Sequence, residues 1–158
     1  ILLAETELDL DNIEKPVDSK VTKRPDVKKQ SSLPSGLRCY LSSDGYEILV
    51  GRNDKGNDQL TFQLAKPLDI WLHTADYPGS HVLIRNPQRN SIPSRTIFEA
   101  AALAAFFSKA KEENLAAVRY TEKKNVTRPK KSKAGMALLT DFKTIMVKPQ
   151  EAGQRLLE

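Results

Sequence analysis

Apolar and polar residues alternate through "RCYLSSDGYEILVGRN" on either side of Ser43-Asp44-Gly45. Period-two alternation around a glycine-containing turn predicts a β-hairpin, with Gly45 supplying positive φ. In "DKGNDQLTFQLA", Leu60, Phe62, Leu64 and Ala65 fall near helical spacing before Pro67, so a short helix is predicted there. "DIWLHT" and "SHVLIR" read as two strands joined by the turn formers Ala75 to Gly79. "TIFEAAALAAFFSKAKEE" predicts the longest helix, with an Ala-rich interior, a capping box of Thr96 and Glu99, and Lys109 and Lys111 near the negative end of its dipole. After it, "AAVRYTE", "NVTRP", "GMALLT" and "KTIMVKP" predict strands, the last pair turning at Asp141-Phe142. Hairpins, a helix and more hairpins imply an α+β fold: an antiparallel or mixed sheet carrying one long Ala-rich helix and one shorter helix on one face. The sequence holds no internal repeat.

Composition divides the chain. Residues 1–34 are acidic, then rich in Lys and Pro, with few apolar side chains to offset the entropy of ordering, and read as a linker or flexible arm. Residues 35–149 form the expected domain, and 150–158 a tail or frayed helix. The opening Ile1 suggests a piece of a longer polypeptide, whose remainder would be a partner of this domain. A single cysteine, Cys39, has no second thiol for a disulfide or shared metal, pointing to a reducing, cytoplasmic setting. No apolar run approaches the roughly 20 residues that span a bilayer, so no membrane partner is expected.

The net charge of +5 is unevenly spread. Residues 1–14 carry five acids and no base, whereas "RYTEKKNVTRPKKSK", residues 119–133, holds seven bases against Glu122. Clustered Lys and Arg release counterions on meeting phosphates, so this patch favours a polyanionic partner over a merely solvated loop.

Chemistry-bearing side chains concentrate in the "DIWLHTADYPGSHVLIR" hairpin, which contains the only Trp and both His of the chain. With Thr74 facing Ser80, His73 stands opposite His81, Trp71 opposite Leu83 and Asp69 opposite Arg85, all on one face. Ile70, Leu72, Val82 and Ile84 occupy the other face, suited to packing under the long helix. Turned outward, the first face would stack bases on Trp71 while His73 and His81 donate to phosphate or ribose. Gly79 and Ser80 add a backbone that a ligand can approach and a hydroxyl for an anion. Two readings stand beside this one. Trp71 is half-buried in a two-sided sheet and the histidines merely hydrogen-bond, or Asp69, His73 and His81 ligate a metal. Ser80 and His81 point to opposite faces, which argues against a nucleophile and base, and no phosphate-loop or dinucleotide motif occurs. The expectation is a non-enzymatic domain without cofactor.

Five blocks in order, "DGYEILVGRNDKGNDQLT", "DIWLHTADYPGSHVLIR", "IPSRTIFEAAALAAFFSKAK", "VRYTEKKNVTRPKKSKAGM" and "KTIMVKP", resemble the carboxy-terminal RNA-binding domain, NFACT-R, of the NFACT family over about residues 36–148. These are ribosome-quality-control factors once described as fibronectin-binding proteins. The resemblance implies a parent chain that binds large ribosomal subunits carrying a stalled nascent chain and recruits tRNA to extend that chain without a message. The family's Asp-x-Trp-x-His falls on Asp69, Trp71 and His73, its Pro-Gly-Ser-His on Pro78 to His81, and its Gly-Arg-Asn on Gly51, Arg52 and Asn53. Its basic connection falls on Lys123 to Gly135.

Both lines converge on RNA, tRNA or ribosomal RNA, bound and not cut. Lys123, Lys124, Arg128, Lys130, Lys131 and Lys133 would hold phosphates, while Trp71 and the histidines discriminate. Protonation of His73 and His81 would tune affinity near neutral pH. The alternatives are a protein-interaction module, docking a ribosomal protein or another domain of the parent chain, and a metal-dependent hydrolase.

Overall fold

The computed structural model describes residues 35–156; the expected arm, residues 1–34, lies outside the described residues, as do Leu157 and Glu158. The elements run β1 (Leu37–Leu41), β2 (Glu47–Gly51), α1 (Asp54–Gln59) continuing into a π-helical turn (Leu60–Leu64), β3 (Ile70–Thr74), β4 (Val82–Ile84) and α2 (Ser94–Phe106). They continue with β5 (Ala116–Glu122), a single 3-10 turn (Lys123–Asn125), β6 (Val126–Thr127), β7 (Leu138–Leu139), β8 (Lys143–Val147) and β9 (Gln154–Arg155). Seven strands form one sheet in the order β8-β5-β3-β4-β2-β1-β9, and every neighbouring pair is antiparallel. The fold is α+β, and its sheet is antiparallel rather than mixed.

The first hairpin forms as its pattern predicts. Leu37 to Leu41 pair with Gly51 to Glu47, and Gly45 closes the turn at φ 88 while donating to the Ser42 carbonyl. In the second, Ile70 faces Ile84, Trp71 faces Leu83 and Leu72 faces Val82, the register expected from the five-residue connection.

The layers differ from expectation. α2 alone covers one face of the sheet, where Ala100, Ala101, Leu103, Ala104 and Ala105 meet Ile48, Val50, Leu72, Val82 and Ile84. Alanine's short side chain lets the helix backbone lie close to the strands. The short helix is on the opposite face: Leu60 joins Leu37, Cys39, Leu49, Trp71 and Leu83 there, and Val126, Ala137 and Leu139 of the small β6-β7 ribbon complete the cover. The sheet is therefore buried on both sides, because one-residue alternation in β1 to β4 places apolar side chains up and down alike.

α2 is also shorter than predicted and has no capping box. Its N-cap residue is Pro93, and Thr96 and Glu99 lie inside it, where they fasten the first hairpin turn: Thr96 donates to Asp44, and Glu99 accepts from the Ser43 amide at 2.8 Å. The helix ends at Phe106 because the Ser108 hydroxyl takes the Ala105 carbonyl at 2.8 Å and the chain turns to meet Gly79. At the carboxyl end, Gln154 and Arg155 add a short strand to β1 in place of a frayed helix, and Tyr40 hydrogen-bonds Glu151. The expected turn at Asp141-Phe142 does not pair β7 with β8; β7 pairs with β6, and β8 with β5.

Leu83, fully buried at the centre of the second layer, supplies a direct check. Leu83→Ala should cost about 2–5 kcal/mol in urea unfolding; a change near zero would mean that this layer is not packed.

Candidate functional site

The histidine and tryptophan hairpin is assembled as the register predicts, but it faces inward. Trp71 is only 3% exposed and His81 2%. The expectation of an outward indole available to stack a base is therefore overturned. The cause is the second layer, since the π-helical turn and the β6-β7 ribbon lie over this face. A flat apolar ring left in water would forfeit its burial free energy, and the chain supplies Leu60 and Val126 to cover it.

What that face builds is a buried polar network. Trp71 Nε1 donates to Thr61 Oγ1 at 2.8 Å, and the same hydroxyl lies 2.7 Å from His81 Nδ1. With the indole proton already on the threonine oxygen, the hydroxyl proton is available to Nδ1 of a neutral imidazole. The His81 amide donates to Asn57 Oδ1 at 3.0 Å, and its carbonyl accepts from the Gly51 amide at 3.0 Å. His73 stacks on Trp71 with centroids 6.0 Å apart and meets His81 edge-on at 5.4 Å. Burial, together with the neighbouring His73, pushes His81 down to about 3, and burial likewise lowers His73. His81 therefore stays neutral between pH 5.5 and 8, and burial disfavours charge on His73, which overturns the expected tuning of affinity by protonation of His81.

Asp69, 2% exposed, is equally structural. It does not pair with Arg85. Its oxygens accept from the amides of Asn86 at 2.8 Å and Lys66 at 2.9 Å, holding the ends of β3 and β4 together. Arg85 instead lies near Cys39, where its charge partly opposes the rise that burial gives the thiol, pushed up to about 12. The metal alternative loses its ligand set: Asp69 and His73 are four residues apart on one strand, roughly 13 Å, and among the described residues no three His, Cys, Asp or Glu converge.

The network positions an exposed surface. Ser80 Oγ donates to the Gly51 carbonyl at 2.6 Å, the Ser80 amide to Phe107 at 3.1 Å, and the Lys109 amide to Pro78 at 3.1 Å. Three distant segments are thus clamped: Arg52 and Asn53 after β2, Pro78 to Ser80 between β3 and β4, and Phe107 to Lys109 beyond α2. Gly79 is needed at the junction, since a Cβ there would sit 2.5 Å from Ser108 Cβ. Between the segments opens a cleft of about 510 Å³ lined by Arg52, Asn53, Asp54, Ser80, Phe107 and Lys109, among others. Asn53 caps α1, accepting from the Gly56 amide at 2.7 Å.

The basic connection borders this cleft. Asp58 grips Arg128 through both guanidinium nitrogens, at 2.7 and 2.9 Å, and accepts from the Gly135 amide at 3.3 Å. That guanidinium holds the Asp58 carboxyl below the usual carboxylate range. Arg128 also lies 4.4 Å from the Phe62 ring centroid, and Lys124 pairs with Glu122 at 3.2 Å. Two of the six expected phosphate contacts are thus engaged within the protein, Arg128 as the loop's anchor. Lys123 lies 5.8 Å from the Phe62 centroid. Lys130, Lys131 and Lys133 are exposed, with no ion pair among the described residues. Gly135 abuts Asp54, which also lines the cleft, so lysines and cleft form one surface.

Sequence reasoning missed Thr61 and Lys109. Thr61 was legible only as a polar residue among the apolar ones of a helix; nothing in the sequence places Lys109 against Pro78. Asn57 and Asp58 lie inside a quoted block without any hint of their partners.

A family profile described as the NFACT protein RNA binding domain matches residues 37–140. The chain is 43% identical over 122 residues to the Rqc2 homolog RqcH of Bacillus subtilis, covering 77% of this chain and 21% of that one. It is 32% identical over 71 residues to the human ribosome quality control complex subunit NEMF, covering 45% of this chain and 7% of that one. The chain thus spans about a fifth of the length of the bacterial relatives it matches. Among solved structures, the C-terminal part of the fibronectin/fibrinogen-binding protein from Streptococcus suis superposes with a TM-score of 0.69 at 34% identity, covering 93% of this chain and 55% of that one.

Removing one hydroxyl tests the network. Thr61→Val leaves the indole N–H and His81 Nδ1 without their shared partner and should cost about 1–3 kcal/mol, read by urea unfolding; no change would mean the bonds contribute nothing. The histidines give a pH signature. In the fold His81 stays neutral down to about 3 and burial disfavours charge on His73, while an unfolded chain protonates both as pH drops past the ordinary 6.5. The stability that His81 contributes is complete above that value and is lost as pH falls toward 3, at most about 1.4 kcal/mol per pH unit; the contribution of His73 is lost in the same direction. His81→Gln should flatten unfolding free energy against pH between 7 and 5; an unaltered slope would contradict the buried neutral ring.

Proposed function

The chain belongs to the family of NFACT protein RNA binding domains, and on that premise we propose that it binds tRNA or ribosomal RNA through the lysine loop and the adjoining cleft. Its parent protein acts in ribosome quality control in the cytoplasm, binding stalled large subunits and recruiting tRNA for template-free tailing, with this domain a non-catalytic contributor. The observation that carries the reading is the loop. Lys130, Lys131 and Lys133 stand exposed on a segment anchored to α1 through Asp58, at Arg128 before them and Gly135 after them. Anchoring matters because a pre-ordered loop loses less conformational entropy when it meets phosphate. Phosphate contacts of this kind give affinity and position without reading sequence.

A second reading has its own support. Met136, Leu138, Phe142 and Met146 are exposed around β7 and β8, with Arg119 lying 4.9 Å from the Phe142 ring centroid. Exposed apolar side chains near an open sheet edge suit a protein partner.

Titration of tRNA at rising salt separates the two. A Lys130→Glu, Lys131→Glu double variant should bind more weakly at every salt concentration and reduce the slope of log affinity against log salt by about 2. RNA binding indifferent to salt and to both substitutions would overturn the proposal.

A further inference from the structure

The cleft between the Arg52, Pro78 and Phe107 segments adjoins the lysine loop and has walls tied to one another. Its three walls come from residues far apart in sequence and are tied together by the Ser80–Phe107, Lys109–Pro78 and Ser80–Gly51 hydrogen bonds and by the Gly79–Ser108 bridge. A site held in this way is pre-formed, and at about 510 Å³ it falls within the roughly 300–1,000 Å³ of small-ligand sites.

We propose that the cleft receives one unpaired nucleotide of the bound RNA strand. The inference rests on the RNA reading above and narrows it to RNA with unpaired bases. Three features of the lining select this ligand. The exposed Lys109 lines the cleft, as does Arg52, against one acid, Asp54, a balance that favours a phosphate there. Pro78 is the exposed apolar side chain of the lining, and Phe107, its ring also packed against Arg38 and Tyr40, borders the same space, an apolar side suited to a base or ribose. Asp54 touches Gly135, the last residue of the lysine loop, so a strand whose backbone follows Lys130 to Lys133 arrives at the cleft mouth. A base still paired in a helix is stacked between its neighbours and cannot enter a recess of this size, whereas a splayed base in a loop or end can.

The test compares a single-stranded oligonucleotide with a fully paired hairpin RNA of equal charge, using the full chain and two variants. Lys109→Glu alters an exposed side chain whose clamp on Pro78 is made by the main chain, so the fold is retained. Lys111→Glu, outside the cleft lining, controls for net charge. Lys109→Glu should weaken single-strand binding by about fivefold or more beyond the control and lower its salt slope by about 1, while hairpin binding falls no further than in Lys111→Glu. Amide shifts at Ser108 and Lys109 on adding the single strand, absent with the hairpin, would accompany this. If Lys109→Glu matches Lys111→Glu on both RNAs, or if the hairpin shifts the same amides, the cleft inference is overturned while RNA binding stands. If the unaltered chain binds neither RNA, the RNA reading itself fails, and the inference with it.

Discussion

A single threonine hydroxyl holds the two halves of this domain in relation. Thr61 Oγ1 receives the indole proton of Trp71 from the sheet and faces His81 Nδ1, while one turn earlier in the same helix Asn57 holds the His81 amide. The helix that covers the second face of the sheet is thereby locked in register with β3 and β4. Buried polar atoms cost about 1–3 kcal/mol each when unpaired, so alternative seatings of α1 carry a penalty in addition to lost hydrophobic contact. Three segments hang from this seating: Arg52 and Asn53 at the start of the helix, the Gly79-Ser80 turn, and, through Asp58, the lysine loop.

Rare aromatic and imidazole residues therefore act as framework, and Lys130, Lys131 and Lys133 are left exposed. This division follows from burial. His81, pushed down to about 3, is a neutral hydrogen-bonding element and carries no charge for an anion, whereas lysine ammonium groups keep theirs in water. Arg128 belongs to the framework despite its place in the basic run, since its planar guanidinium meets Asp58 in a two-pronged pair and lies over Phe62.

Local periodicity made much of the fold legible. The β3-β4 register, the Gly45 turn and the Ala-rich helix all depend on near-neighbour chemistry; the first two appear where the pattern places them, and the helix forms over a shorter span than predicted. The second layer was not legible, and it reversed the meaning of the candidate site. One face of the second hairpin carries Trp71, His73 and His81, and their polarity marked it as outward; only the distant Leu60, Thr61 and Val126, brought over it by tertiary packing, make it interior. Similarly, Thr96 and Glu99 have capping-box spacing, but the helix begins at Ser94 and their side chains are used by the Ser42 to Asp44 turn instead. The edges of the sheet, β8 and β9, fall outside the family match at 37–140 and pair with β5 and β1 inside it.

Because Trp71 is the only tryptophan, its emission reports on the central claim without labelling. Fluorescence of the full chain, with acrylamide as quencher and with or without saturating RNA, asks directly whether the indole is framework or contact. A blue-shifted band, shielded from acrylamide and unmoved by RNA, is the predicted result; a quencher-accessible band that RNA extinguishes by stacking would contradict the account.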